Sequence, residues 1–389
     1  MSDLLAITGA RIFDGTEWHD DAALLIEFGF VSGIVDSDAV PAHAQCTKLD
    51  GGMVVPGFID LQVNGGGGVL FNNAPDLTSI RTICRAHAQF GTTALLPTLI
   101  TDNVAVNIAA IAAGIAAHEL RVPGFLGLHL EGPHLALSRK GTHDPALIRP
   151  MDDQDLARLV DAAAALPNLL CTIATESTTP DQIAALAKAG IVVSLGHCDA
   201  SYDDARAAFS VGVSMATHLF NAMSQLTNRE PGLVGAVLDT PQVFAGLIAD
   251  GIHVHPAAIA AALRAKAGPG RIFLVTDAMS QTATDLTSFS LNGRTITRSN
   301  GALRLDDGTL AGADLDMIDA VNFMIDRIGL APEEAFRMAS LYPAEAMGLE
   351  GTHGHLGRAA MANFVHLSDA REVRSTWVSG ERVWQRTEQ

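Results

Sequence analysis

GFIDLQVNGGGG, residues 57–68, reads as a buried strand that runs into a glycine-rich loop. Side chains alternate along a strand, so Gln62 and Asn64 share one face near its end. The question is what two neutral amides do at that place. The four glycines are not followed by GK[ST] and open no GxGxxG pattern with a distant acidic residue. Permissive backbone beside a pocket is therefore a simpler reading than a phosphate loop.

The stretch belongs to the first of eight apolar runs bounded by turn residues: 53–64, 92–100, 125–132, 169–177, 191–198, 213–221, 243–251 and 272–279. They are continuous rather than alternating, as expected of parallel strands covered on both faces. Between most of them lie Ala-rich amphipathic segments such as TSIRTICRAHAQFG and PDQIAALAKAG. This pattern predicts an α/β fold, a (β/α)8 TIM-type barrel over residues 53–353. The short β-like runs in 1–52 and 354–389 are expected to form one small β-sandwich domain built from both chain termini. An insertion after the eighth run carries the Asn292-Gly293 hairpin signal, and two helical patterns follow it.

Bulk properties narrow the function. The 389 residues carry a formal charge of −18, which disfavours a nucleic-acid partner. Hydrophobic residues make up 48% and no stretch of 18 apolar residues occurs, so no membrane partner is expected. The start MSDLLAITGA lacks a basic region before an apolar run, which makes the cytoplasm the expected location. Cys46, Cys84, Cys171 and Cys198 form no CxxC, arguing against a thiolate zinc site or a disulfide framework.

In such a barrel, functional groups sit at the C-terminal ends of the strands. There the sequence places Glu131 in HLEGP, His197 in SLGHC, His218 in ATHLFN and Asp277 in VTDA. Taken singly, a His at a strand end is more often a hydrogen-bonded core residue, and an Asp there is often a helix cap. Their joint placement is the signal, because buried charges are costly unless paired or metal-bound. One Glu and two His make a three-ligand metal set that leaves a position open.

The motifs PGFIDLQVNGGGG, GLHLEGPH, KGTHDP, LGHCDA, THLFNAM, ADGIHV and LVTDA, in this order, resemble the N-acetylglucosamine-6-phosphate deacetylases of the amidohydrolase superfamily. The resemblance implies that a metal-bound water hydrolyses the acetamide of a phosphorylated amino sugar, giving glucosamine 6-phosphate and acetate. It implies Glu131, His197 and His218 as metal ligands, Asp277 as general base and then acid, and His143 near the substrate carbonyl. It also implies substrate contacts from Gln62, Asn64, Thr142, Asn221, Ala222, Arg229, Asp250, His253 and the Leu310, Ala311, Gly312 loop. Arg229 is the expected phosphate anchor, since guanidinium binds phosphate through paired donors. Where the superfamily at large has two metal-binding histidines, this chain has Gln62 and Asn64, weak neutral donors. One divalent ion per chain is therefore expected, with zinc the default. A homodimer whose interface completes the sugar-phosphate pocket is implied as well. The competing readings are another amidohydrolase acting on a different N-acyl or cyclic amide, and a catalytically silent barrel used for assembly.

Overall fold

The computed structural model describes residues 4–387. Eight parallel strands form its centre: β1 (Phe58–Val63), β2 (Thr92–Ile100), β3 (Leu128–Glu131), β4 (Leu169–Ile173), β5 (Val192–Leu195), β6 (Val213–Ala216), β7 (Phe244–Leu247) and β8 (Ile272–Leu274). They pair in chain order. A parallel bridge between Val63 and Ala278 brings the two ends together, with Asn64 N–H donating to Ala278 O at 2.8 Å and Asp277 N–H to Gln62 O at 3.0 Å. The predicted barrel is present, and every one of the eight apolar runs supplies one of its strands.

Helices follow the strands, among them α1 (Leu77–Ala88) after β1. Several begin on side-chain caps that satisfy the free N–H groups of the first turn: Asp76 accepts from Ser79, Asn103 from Val106, and Thr179 with Gln182 forms a capping box. The helix Gly232–Asp239 after β6 carries no amphipathic signal, because Gly232 to Leu238 are all buried. That is why periodicity alone does not reveal it.

The first apolar run divides in two. Met53–Pro56 pairs with Phe364–Leu367 and Arg11–Phe13 in a six-stranded sheet outside the barrel, whereas β1 starts at Phe58. Pro56 has no N–H to continue a ladder. Gly57 is where the chain crosses: a Cβ there would stand 2.1 Å from Thr93 Oγ1. That sheet and the four-stranded sheet of Phe30–Asp36, Ala22–Glu27, Leu4–Thr8 and Gln45–Lys48 bury a shared core that includes Ile7, Leu24, Val54, Phe364 and Trp377. The insertion forms an antiparallel sheet of Ser288–Leu291, Arg294–Ser299, Ala302–Leu305 and Leu310–Ala313, its first turn at Asn292-Gly293. Ala313 bridges to Ala278, so the insertion packs at the barrel mouth. Residues 310–313 are thus a strand where a loop is expected.

Among the described residues no helix is long and apolar enough to cross a membrane. Cys84, Cys171 and Cys198 are buried, and Cys46 is exposed; all are free thiols.

Candidate active site

Glu131 ends β3, and His197 and His218 stand two residues beyond β5 and β6. His197 Nε2 and His218 Nε2 each lie 3.2 Å from Glu131 Oε1 and 3.2 Å from one another. Three donors at 2.0–2.1 Å from a tetrahedral ion stand about 3.3 Å apart, so this triangle fits a zinc-sized divalent cation. His197 Nδ1 donates to Arg139 O at 2.8 Å, which leaves Nε2 as the bare nitrogen a metal requires. Burial pushes the Glu131 carboxyl up, but the two facing imidazoles outweigh it and hold the group well below the ordinary range. The backbone is strained here: His197 (φ 49), His218 (φ 30) and Asp277 (φ 51) all lie in the left-handed region. Such conformations persist only where surrounding structure fixes them, and they concentrate at functional sites.

The two amides of the opening stretch are occupied with carboxylates. Asn64 Nδ2 donates to Asp277 Oδ1 at 2.6 Å, and Gln62 Nε2 lies 3.2 Å from the same oxygen and 3.3 Å from both Glu131 oxygens. Carboxylates only accept, so the amide nitrogens must face them. Gln62 and Asn64 thus orient the carboxylates of Asp277 and Glu131. Burial and the charge of Glu131 push Asp277 up to about 6. One step deeper on the same face, Asp60 accepts from Thr276 Oγ1 at 2.5 Å and from Gln62 N–H at 3.2 Å, tying β1 to the segment after β8. Asp60 shares the parity of Gln62 and Asn64, but its role emerges only with Thr276 across the seam.

His143 is fully enclosed, its ring 4.3 Å from that of His197. Its donor atom also lies within 4.8 Å of those of Glu131 and His197, but Thr101 engages Nδ1 through its N–H at 3.3 Å and its hydroxyl at 2.7 Å. His218 Nε2, at 3.2 Å from both Glu131 Oε1 and His197 Nε2, makes the tighter triangle. With Nδ1 accepting from Thr101 N–H, His143 carries its proton on Nε2, and burial together with the neighbouring His197 holds the ring neutral. A neutral N–H donor beside the cation triangle suits a developing oxyanion.

A cavity of about 520 Å³ opens over these groups. Of the expected substrate contacts, Asn64, Thr142, His143, Asn221, Ala222, His253, Leu310 and Gly312 line it. Asn64 Oδ1 and Thr142 Oγ1 are buried there without partners among the described residues. Gln62 lies behind the lining, and Ala311 points into the core of the insertion sheet. Asp250 sits beneath His253, accepting from its Nδ1 at 2.6 Å and from its backbone N–H at 2.8 Å. Arg229 does not join the group: it is exposed and lies outside the lining. Arg139, Arg304 and Thr309, which are not among the expected contacts, also line the cavity. Arg139 directly precedes the KGTH motif, whereas Arg304 and Thr309 arrive through the packing of the insertion.

The amidohydrolase family profile matches residues 53–383. The chain belongs to the amidohydrolase family. This amidohydrolase is 39% identical over 384 residues to an N-acetylgalactosamine-6-phosphate deacetylase of Shewanella sp. (strain ANA-3), covering 98% of this chain and 96% of the relative. It is 32% identical to an N-acetylglucosamine-6-phosphate deacetylase of Haemophilus influenzae, over 93% of this chain and 94% of that one. The crystal structure of N-acetylglucosamine-6-phosphate deacetylase from Pasteurella multocida superposes with a TM-score of 0.93 at 34% identity, covering 97% of this chain and 99% of that chain. The resemblance drawn from the motifs is borne out, and the family is metal-dependent, in keeping with the Glu and His triangle.

Proposed function

We propose that this amidohydrolase removes the N-acetyl group of N-acetylglucosamine 6-phosphate, giving glucosamine 6-phosphate and acetate, with one zinc ion per chain. The observation that carries this reading is the 3.2 Å triangle of Glu131, His197 and His218, with Asp277 linked to it through Gln62. A divalent cation supplies Lewis acidity that polarises a carbonyl and brings the pKa of a water toward ~7. Asp277 takes the proton from the attacking water and passes it to the departing amine, which leaves poorly until protonated. Asn64 and Gln62 hold Asp277 in line for both transfers. His143 offers its Nε2–H to the carbonyl oxygen, and Asn64 and Thr142 line the cavity that would take the sugar. Acetate release from the phosphorylated sugar, measured together with elemental analysis, tests this assignment.

The occupation of Gln62 and Asn64 by carboxylates supports a single ion. Metal analysis of the protein purified without chelator is expected to approach one ion per chain; two tightly held ions would contradict this. Fe²⁺, Co²⁺ and Mn²⁺ accept the same donors, and the identity of the ion comes from the same measurement.

Arg229 is proposed as the phosphate anchor, reaching the cavity of a second copy in a homodimer. Its exposure, without a hydrogen-bond partner among the described residues, supports this, as does the neighbouring Leu226, which is 56% exposed. Arg229→Ala is expected to raise KM for the phosphorylated sugar at least ~10-fold, in line with the loss of a charge-assisted pair, and to leave the unphosphorylated sugar unaffected. An equal loss on both substrates rejects the anchor. A phosphorylated substrate is itself a reason to place the enzyme in the cytoplasm.

A second reading is favoured by one observation, the 39% identity to a relative named for the galactosamine epimer. Parallel assays of N-acetylglucosamine 6-phosphate and N-acetylgalactosamine 6-phosphate decide between them through kcat/KM.

A further inference from the structure

A second cleft lies on the face of the barrel opposite its mouth. It has a volume of about 400 Å³ and runs between α1, the start of β2 and the terminal sandwich, with Arg81, Arg85, Thr92, Pro123, Val378 and Val383 in its wall. An adjoining space of about 550 Å³ shares Pro123, Val378 and Val383, and adds Arg121, Glu381 and Phe28, the last 73% exposed. None of these residues belongs to the catalytic group.

We propose that this cleft binds a small organic anion with an apolar body, its charge held by Arg81 and Arg85 and one of its oxygens by Thr92. Three independent features meet there. Arg81 and Arg85 stand one turn apart on α1, both exposed, and neither guanidinium has a hydrogen bond or an ion pair among the described residues. In a chain with 43 acidic and 25 basic residues, two cations left together without a carboxylate form a local positive field against the overall sign. Thr92, only 2% exposed, has a buried hydroxyl without a partner among the described residues, and such a group costs stability unless a ligand satisfies it. The remaining wall is aliphatic, from Pro123, Val378 and Val383.

These features select the ligand class. A bare inorganic anion would leave the aliphatic wall in water, and a neutral apolar molecule would leave both guanidiniums unmatched. Carboxylate and phosphate monoester groups both suit paired guanidinium donors. Cys84 stands in the same wall, its thiol pushed up to about 12 by burial.

The test uses the full chain with phenyl phosphate and benzoate as probes, by crystal soaking and titration calorimetry, with inorganic phosphate and benzyl alcohol as controls. At least one probe is expected to occupy the cleft and to bind at least ~10-fold more tightly than either control, the scale of a charge-assisted contact. The two probes separate a phosphate from a carboxylate preference. Arg81→Ala combined with Arg85→Ala is expected to lose this binding at least ~10-fold while kcat/KM for acetate release stays unchanged. Thr92→Val, a replacement of the same shape, is expected to weaken the probe several-fold and to raise the melting temperature of the free protein. Occupancy at the barrel mouth alone, equal affinity in the double arginine variant, or inorganic phosphate binding as tightly as phenyl phosphate overturns the proposal.

Discussion

Replacing Asp277 by asparagine is expected to lower turnover by about 10²- to 10⁴-fold, the range attached to a positioned acid–base group. The replacement keeps the shape and one acceptor oxygen, so the donors Asn64 Nδ2 and Gln62 Nε2 retain their partner. The backbone N–H of the residue still bonds Gln62 O, and its carbonyl still receives Ala313 N–H. What disappears is a group able to accept and return a proton. Burial and the charge of Glu131 push the native carboxyl up to about 6. Steady-state rates of acetate release, read beside metal content, check the result. A near-normal rate at full metal occupancy removes Asp277 from the reaction.

Glu131→Gln is expected to cost the metal as well as turnover. The carboxylate is the only anion of the triangle and lies 3.2 Å from both imidazole nitrogens. An amide supplies no charge, and Gln62 Nε2, which faces both Glu131 oxygens at 3.3 Å, would then meet an NH₂ group at one of them. The expected outcome is metal content near zero and turnover at least ~10³-fold lower, corresponding to the several kcal/mol a metal contributes as Lewis acid. The fold is expected to survive, because β3 keeps its backbone pairing to β2 and β4. A variant that holds a full complement of metal sinks the ligand assignment.

The parts of the molecule legible from the chain are those in which one residue type has one physical solution. Long apolar runs had to be covered strands, and a Glu, two His and an Asp at the ends of such runs had to be compensated. Residues whose meaning depends on a distant partner were less accessible. Asp60 looks like an ordinary polar interruption until Thr276 is seen across the barrel seam. The amide chemistry of Gln62 and Asn64 is plain in the chain, but their donation to Glu131 and Asp277 follows only from the closure of β1 against the segment after β8. Arg304 and Thr309 enter the cavity because the insertion folds back on Ala278, a contact that local periodicity does not encode. The run 53–64 was divided by the crowding of Gly57 against Thr93, two residues 36 positions apart.

The pairing of Met53–Pro56 with Phe364–Leu367 sets a schedule for biosynthesis. The earlier strand leaves the ribosome about 300 residues ahead of its neighbour, a wait of ~15–60 s at 5–20 residues per second. Through that interval an apolar ribbon has one flank bare and ready to recruit another nascent chain. Nascent polypeptides halted before residue 364 should therefore depend on chaperones, and release from the ribosome should coincide with loss of that dependence.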